Sequence, residues 1–326
     1  MRTPEVEVVE LDAVPALGGL YARGVAGSAR AAAARRRTVR PDDLPATELL
    51  VRGVRAEVEH LSTYQHLLGE TGQDALPAGF VHVLAFPVAT ALMVRPGFPL
   101  PLLGMVHVAN QVEQRRAVRL DEEMDLRVRA QDLHAHRSGV TVDLVAEAWV
   151  EEELVWTGTS TYLAKGHHLA PHSASTDPTP LPSPDNLVSE PQGALGTRGS
   201  DTRSEEGAGR APTGQWRLGG EVGRRYAAVS GDQNPIHTSA LAAKAFGFPR
   251  AIAHGMYTAA RALADVGPAR GEAFVWHVQF AKPVVLPSTV AVRVARADGE
   301  AEGFSFEAWS PRSGRTHLTG GVSPSS

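Results

Sequence analysis

The chain repeats itself, and the repeat constrains the fold more than any other feature. Residues 79–91, GFVHVLAFPVATA, lie over residues 247–259, GFPRAIAHGMYTA, at an offset of 168. LRVRAQD (126–132) lies over VRVARAD (292–298) at an offset of 166, and AEAWV (146–150) over FEAWS (306–310) at an offset of 160. Three matches in one order, with offsets that shrink as loops shorten, point to a duplication. The chain must therefore fold as two like halves. Between them, residues 170–214 are dense in Pro, Ser, Gly and charge. Such a stretch has too little apolar surface to offset its ordering entropy, so it reads as an extended linker. The resulting division is an N-terminal extension over 1–45, a first half over 46–165, a linker over 166–212 and a second half over 213–326.

Each half has the same pattern. A short strand and a helix come first, in ELLVRGVRAEVEHLSTYQHLLG and in QWRLGGEVGRRYAAVSG. An apolar helix without a polar stripe follows, expected over roughly 86–95 and 254–265, and the lack of a stripe implies burial. Four segments of alternating or β-branched character complete each half: VHVANQVEQ, DLRVRAQDL, VTVDLVAEAWV and LVWTGTSTYL, then AFVWHVQFA, STVAVRVARA, GFSFEAWS and RTHLTGGV. One buried helix beside a run of antiparallel strands predicts an α+β fold, with a sheet curled around a helix in each half.

Composition limits the chemistry. The chain has no cysteine, so disulfides, thiolate metal sites and a cysteine nucleophile are excluded. That accords with a reducing compartment, and a cytoplasmic location is expected. The net charge of -4 gives no global signal for nucleic acid. No apolar run approaches the roughly 20 residues of a membrane span, so no stable membrane insertion is expected. The basic stretch ARAAAARRRTVR (29–40) reads as a solvated surface, or as a contact for phosphates or membrane. His167, His168 and His172 at the start of the linker read as flexible surface histidines. His134 and His136 form a pair with no third ligand nearby.

The chemistry concentrates in YAAVSGDQNPIHTSALAAKAFGFPRAIAHGM, residues 226–256. Gly231 is placed to end the preceding helix, because glycine accepts the left-handed conformation. Pro235 fixes its own φ and biases Asn234 away from helix, so Gly231–Ile236 reads as a shaped loop. A turn there brings the side chains of Asp232 and His237 within hydrogen-bond reach. A short helix should follow, capped by Thr238 or Ser239 and ended by Gly247. AHGM then opens the buried helix, where the N–H groups of Gly255 and Met256 have no intrahelical partner. Such donors suit a carbonyl oxygen that gains negative charge. Gly255 leaves room for a substrate to approach the backbone. Asn234 is positioned to orient a water or the loop. His254 reads as a capping residue or a direct participant, and Arg250 and Lys282 as solvated surface cations or as contacts for phosphate groups.

The first half lacks this machinery. At the offset of 168, Pro87 stands where the second half has Gly255, and Phe86 where it has His254. No counterpart of DQNPIH occurs. One chemical half and one silent half predict one site per chain, with the first half as an apolar wall for an acyl chain.

The motif Y-x-x-V-S-G-D-x-N-P-I-H, followed by A-K-x-F-G-F-P and A-H-G-M, resembles the MaoC-like, hydratase-2 family of (R)-specific enoyl-thioester hydratases and 3-hydroxyacyl-thioester dehydratases. The resemblance covers 213–322. FVHVLAFPVATALM and MVHVANQVEQRRAV are similar to the degenerate half of double-hotdog members. The resemblance implies a double hotdog of two curled antiparallel sheets, each wrapped around a buried helix. It implies an acid–base pair at Asp232 and His237 and an amide contact at Gly255; Asn234, His254, Met256, Arg250 and Lys282 are the further candidates for substrate contact. It implies an acyl-CoA or acyl-carrier-protein substrate and no metal or redox cofactor. A double hotdog holds its own internal pair, so either a monomer or a homodimer is expected. Three alternatives stay open: an acyl-thioester hydrolase on the same fold, a non-catalytic acyl-binding protein, and a metal-dependent hydrolase using Asp232, His237 and His254.

Overall fold

The computed structural model describes residues 6–21, 23–24, 38–170, 211–297 and 303–325. Residues 171–210 of the expected linker, with His172, and residues 29–37 of the basic stretch lie outside them. The described parts of 1–170 and 212–326 group into one compact unit.

The first half contributes β1 (Glu7–Leu11), β2 (Thr38–Val39), β3 (Thr47–Arg55), α1 (Val58–Leu68), α2 (Ala78–Met93), β4 (Met105–Gln114), β5 (Glu123–His136), β6 (Gly139–Val150), β7 (Glu153–Lys165) and β8 (His168–Leu169). The second contributes β9 (Gly214–Leu218), α3 (Val222–Ser230), α4 (Pro235–Thr238), α5 (Ala240–Ala245), α6 (Gly255–Val266), β10 (Phe274–Phe280), β11 (Ser288–Arg296), β12 (Phe304–Trp309) and β13 (Thr316–Pro324). All eight strand segments expected from alternation form strands, because alternate side chains reach the core while their neighbours face outward.

Eleven strands join in one sheet, in the order β1-β3-β5-β6-β7-β4-β10-β13-β12-β11-β9. Read inward from either side, β3-β5-β6-β7-β4 and β9-β11-β12-β13-β10 have the same chain order. The duplication read in the sequence is therefore a duplication of topology. The halves meet where β4 pairs antiparallel with β10, from Phe274 opposite Gln114 to Gln279 opposite Ala109. Two separate antiparallel sheets are thus not what forms. Pairing β4 with β10 satisfies two edges that would otherwise expose unpaired backbone groups, and β1 adds a parallel edge strand on β3, which makes the sheet mixed.

α2 packs against β3, β5, β6 and β7, and α6 against β11, β12 and β13. Phe80, Val81, Val88 and Leu92 of α2 are fully buried, each contributing about 1.5–3 kcal/mol. α1 contacts α3 and α6, so the helices of the two halves also touch. The His60 ring donates from Nε2 to the Val229 carbonyl at 2.6 Å, and a buried Arg270–Glu70 ion pair at 2.9 Å adds a second tie.

The first apolar helix differs from expectation. It starts at Ala78, eight residues before the expected position, and Pro87 lies inside it. Pro87 therefore does not occupy a helix terminus as Gly255 does, and the correspondence between them fails structurally. A proline inside a helix removes one ladder hydrogen bond; here the apolar packing around α2 outweighs that loss.

Candidate active site

The site is built from the end of α3 to the start of α6. Gly231 ends α3 with φ 72°, a left-handed conformation that turns the chain back. Asp232 then donates its amide to Ser230 Oγ at 3.2 Å, and its Oδ1 accepts the Asn234 amide at 3.1 Å. Asn234 caps α4, its side chain accepting from the Ile236 amide at 3.3 Å, with Pro235 in the first helical position. The expected loop is thus shorter than read. Pro235 fits that position because the first helical residue has no intrahelical acceptor for an N–H, and His237 rides on the single helical turn that follows. Ser239, not Thr238, caps α5, accepting from the Ala242 amide.

His237 is 9% exposed. Its Nδ1 lies 2.8 Å from the Ile252 carbonyl. A carbonyl only accepts, so Nδ1 carries the proton and Nε2 keeps its lone pair. His254, 3% exposed, is the residue before α6. Its Nε2 donates to the Asp232 carbonyl at 3.0 Å and lies 3.7 Å from Asp232 Oδ2. The two imidazoles stack with centroids 3.7 Å apart. One donor atom from each of Asp232, His237 and His254 lies within 4.8 Å of the others, so the trio has the spacing to hold a cation.

Burial alone would raise the Asp232 carboxyl. His254, His237, the Tyr21 hydroxyl and the Asn234 amide outweigh that and hold it below its ordinary value. Burial pushes His237 down and His254 down to about 3, with Asp232 acting in the opposite sense on both. Near neutral pH the trio is one carboxylate and two neutral imidazoles.

A cavity of about 330 Å³ opens over these groups. Asp232, Asn234, His237, His254, Gly255, Met256 and Lys282 line it. Arg250 does not, and is exposed. Gly255 opens α6 with no side-chain cap on the helix terminus, so its N–H has no intrahelical partner, and the residue itself lines the cavity. A Cβ at Gly255 would stand 3.2 Å from the Phe280 ring, closer than ordinary contact, so a larger residue there requires that ring to give way.

The first half gives the cavity more than an apolar wall. Val83, Phe86 and Met93 line it, but so do His82, His107 and Tyr162. The His107 ring stacks on Tyr162 at 4.6 Å and lies 6.3 Å from His82. Burial lowers His82 to about 4 and His107 to about 3. The sequence held one signal for this, a single histidine inside the apolar run GFVHVLAFP. Tyr21, from the N-terminal extension, also lines the cavity, and no local pattern marks it.

Gly223 supports His237 from behind. A Cβ there would lie 2.0 Å from the His237 carbonyl oxygen, a backbone atom that cannot rotate away. Gly223→Ala is expected to cost about 1–3 kcal/mol in stability and to lower turnover by displacing His237. Chemical denaturation beside a rate measurement checks both.

A family model described as a MaoC like domain matches residues 220–306, the stretch that carries this geometry. 3-hydroxyacyl-thioester dehydratase X of Mycobacterium tuberculosis is 33% identical over 283 residues, covering 87% of this chain and 91% of that protein. The crystal structure of HtdX from the same organism superposes with a TM-score of 0.68 at 30% identity, covering 85% of this chain and 100% of that one. A MaoC-like dehydratase from Phytophthora capsici shares the fold at 18% identity, with a TM-score of 0.62 over 88% of this chain and 98% of that one. Identity of this level over nearly the whole length, with the matched domain lying on the site itself, shows that the chain belongs to the MaoC-like dehydratase family.

Proposed function

We propose that the chain is a hydro-lyase that interconverts (R)-3-hydroxyacyl thioesters and trans-2-enoyl thioesters. The observation that carries this reading is the convergence of one carboxylate, two neutral imidazoles and an unpartnered helix N-terminus on one cavity. In the hydration direction, water sits between Asp232 and His237. Asp232 takes one proton from it, and His237 Nε2 accepts the hydrogen bond of the other O–H. The water oxygen adds to Cβ while the thioester carbonyl oxygen gains enolate charge. Gly255 N–H holds that oxygen, a donor contribution of about 10²–10³ in rate. Asp232 then returns its proton to Cα, so one water supplies both the hydroxyl added at Cβ and the hydrogen added at Cα. Dehydration is the reverse.

The thioester arm leaves past Lys282, whose ammonium suits the phosphates of coenzyme A or of a carrier-protein arm. Each five-stranded half curls around its helix, as the family resemblance implies, and the curl encloses the acyl chain. β4 and β10 pair within one chain, which supports a self-sufficient monomer.

Val83 projects from α2 into the cavity. Val83→Phe is expected to depress turnover of long acyl chains while sparing the shortest, in an assay across chain lengths on both thioester carriers.

The test of the activity itself is incubation with a 2-enoyl thioester. Hydration removes the conjugated absorbance without freeing thiol. Release of thiol at the same rate would make the protein a thioesterase. Loss of activity on exhaustive chelation would instead favour a metal-dependent hydrolase on Asp232, His237 and His254.

A further inference from the structure

The N-terminal segment stands outside the duplication, yet it reaches the site. Residues 17–21 are helical, Leu20 is fully buried and Leu17 nearly so. Leu17 and Tyr21 are four apart, so they share one face of the turn. Leu17 lies against Gly231, where a Cβ would come within 2.4 Å of its Cδ1. Tyr21 reaches the next residue: its hydroxyl donates a hydrogen bond to Asp232 Oδ1. Two contacts from one turn thus fall on the two residues that begin the catalytic loop.

This bond makes the two carboxylate oxygens unequal. Oδ1 accepts both the Tyr21 hydroxyl and the Asn234 amide at 3.1 Å. Oδ2 faces His254 Nε2 at 3.7 Å, beyond hydrogen-bond distance. His82, His107, His237, His254, Tyr162 and Tyr226 interact electrostatically with Asp232, and Lys165, Lys282 and His317 also line the cavity. Burial holds the imidazoles low and the phenols high, so the first six are uncharged near neutral pH. His254, His237 and the hydrogen bonds to Oδ1 together favour the anion, and Tyr21 provides one of those bonds from a side chain.

We propose that Tyr21 is a positioning residue for the reaction: a phenol delivered by the N-terminal segment that ties down Oδ1 of Asp232 and leaves Oδ2 to carry the proton. The proposal rests on Asp232 being the proton carrier. It also gives the N-terminal extension a task, since the turn bearing Leu17 and Tyr21 completes a site that the two halves leave open.

The experiment compares the full-length protein with its Tyr21→Phe and Asp232→Asn variants, measuring kcat and KM for hydration of a 2-enoyl thioester across pH. Phenylalanine keeps the ring and its packing and removes only the hydroxyl. Tyr21→Phe is expected to lower kcat about tenfold and to leave KM nearly unchanged. Loss of the donor raises the Asp232 pKa, so the carboxylate is protonated at higher pH and the acid limb of kcat moves up by about one pH unit. Wild-type kcat and an unmoved acid limb in Tyr21→Phe, beside an inactive Asp232→Asn, would overturn the Tyr21 role and leave the reading of Asp232 standing. A raised kcat in Tyr21→Phe would also overturn it, because the tyrosine would then be an obstruction. Wild-type turnover in Asp232→Asn would remove the proton carrier, and the role of Tyr21 with it.

Discussion

Asp232→Asn is expected to lower kcat for enoyl-thioester hydration by about 10²–10⁴-fold while the protein stays folded. The amide matches the carboxylate in shape and still accepts from the Asn234 amide and the Tyr21 hydroxyl. What it loses is the ability to take and return a proton near neutral pH. Stability should fall modestly near neutral pH, because the native surroundings favour the anion enough to hold the carboxyl below its ordinary value. His237→Ala should also cause a large loss, since it removes the lone pair that orients the water. The two effects should not add: both side chains act on one water, so the double variant is expected to resemble the worse single one. Initial rates for the three variants, beside denaturant unfolding curves, check the account. Additive losses would mean that the residues serve separate steps.

Gly255→Ala carries the second large effect. The added methyl would meet Cε1 and Cζ of Phe280 at 3.2 Å, tighter than ordinary contact. Phe280 is itself packed 5.1 Å from the His107 ring, centroid to centroid, which limits how far it can yield. Either the start of α6 shifts or the methyl intrudes on the cavity, and in both cases the thioester carbonyl loses its seat on the amide. A displacement of this size at the reacting centre costs about 10²-fold. The loss should fall on kcat more than on KM, because enolate charge on the carbonyl oxygen is greatest in the transition state. Steady-state rates at saturating substrate separate the two. A rise in KM alone would reassign Gly255 to ground-state binding.

What the sequence made legible was local. Gly231 ends its helix in the left-handed conformation because glycine meets no steric penalty there, and Asp232 and Asn234 are arranged by hydrogen bonds spanning only a few residues, whereas the His237 ring is fixed by the Ile252 carbonyl fifteen residues on. The eight main strands of the halves were visible through alternation. What stayed hidden was either long-range or tolerated by burial. β1 is a mostly exposed edge strand whose alternation carries little apolar signal. Pro87 reads as a helix boundary, and only the packed surroundings of α2 allow it mid-helix. His82, His107 and Tyr162 come from three separate elements of the first half, and Tyr21 meets a residue 211 positions away. No spacing in the chain could bring those side chains together; the packing of helices on the sheet does.

The central claim is that one thioester lies with its carbonyl oxygen on the Gly255 amide and its Cβ hydroxyl between Asp232 and His237. The direct measurement is a crystal structure of the Asp232→Asn variant bound to a 3-hydroxyacyl thioester. The carbonyl oxygen should accept from Gly255 N–H, with the hydroxyl within hydrogen-bond distance of both residue 232 and His237 Nε2. A carbonyl oxygen away from Gly255, or a hydroxyl that meets neither side chain, would contradict it.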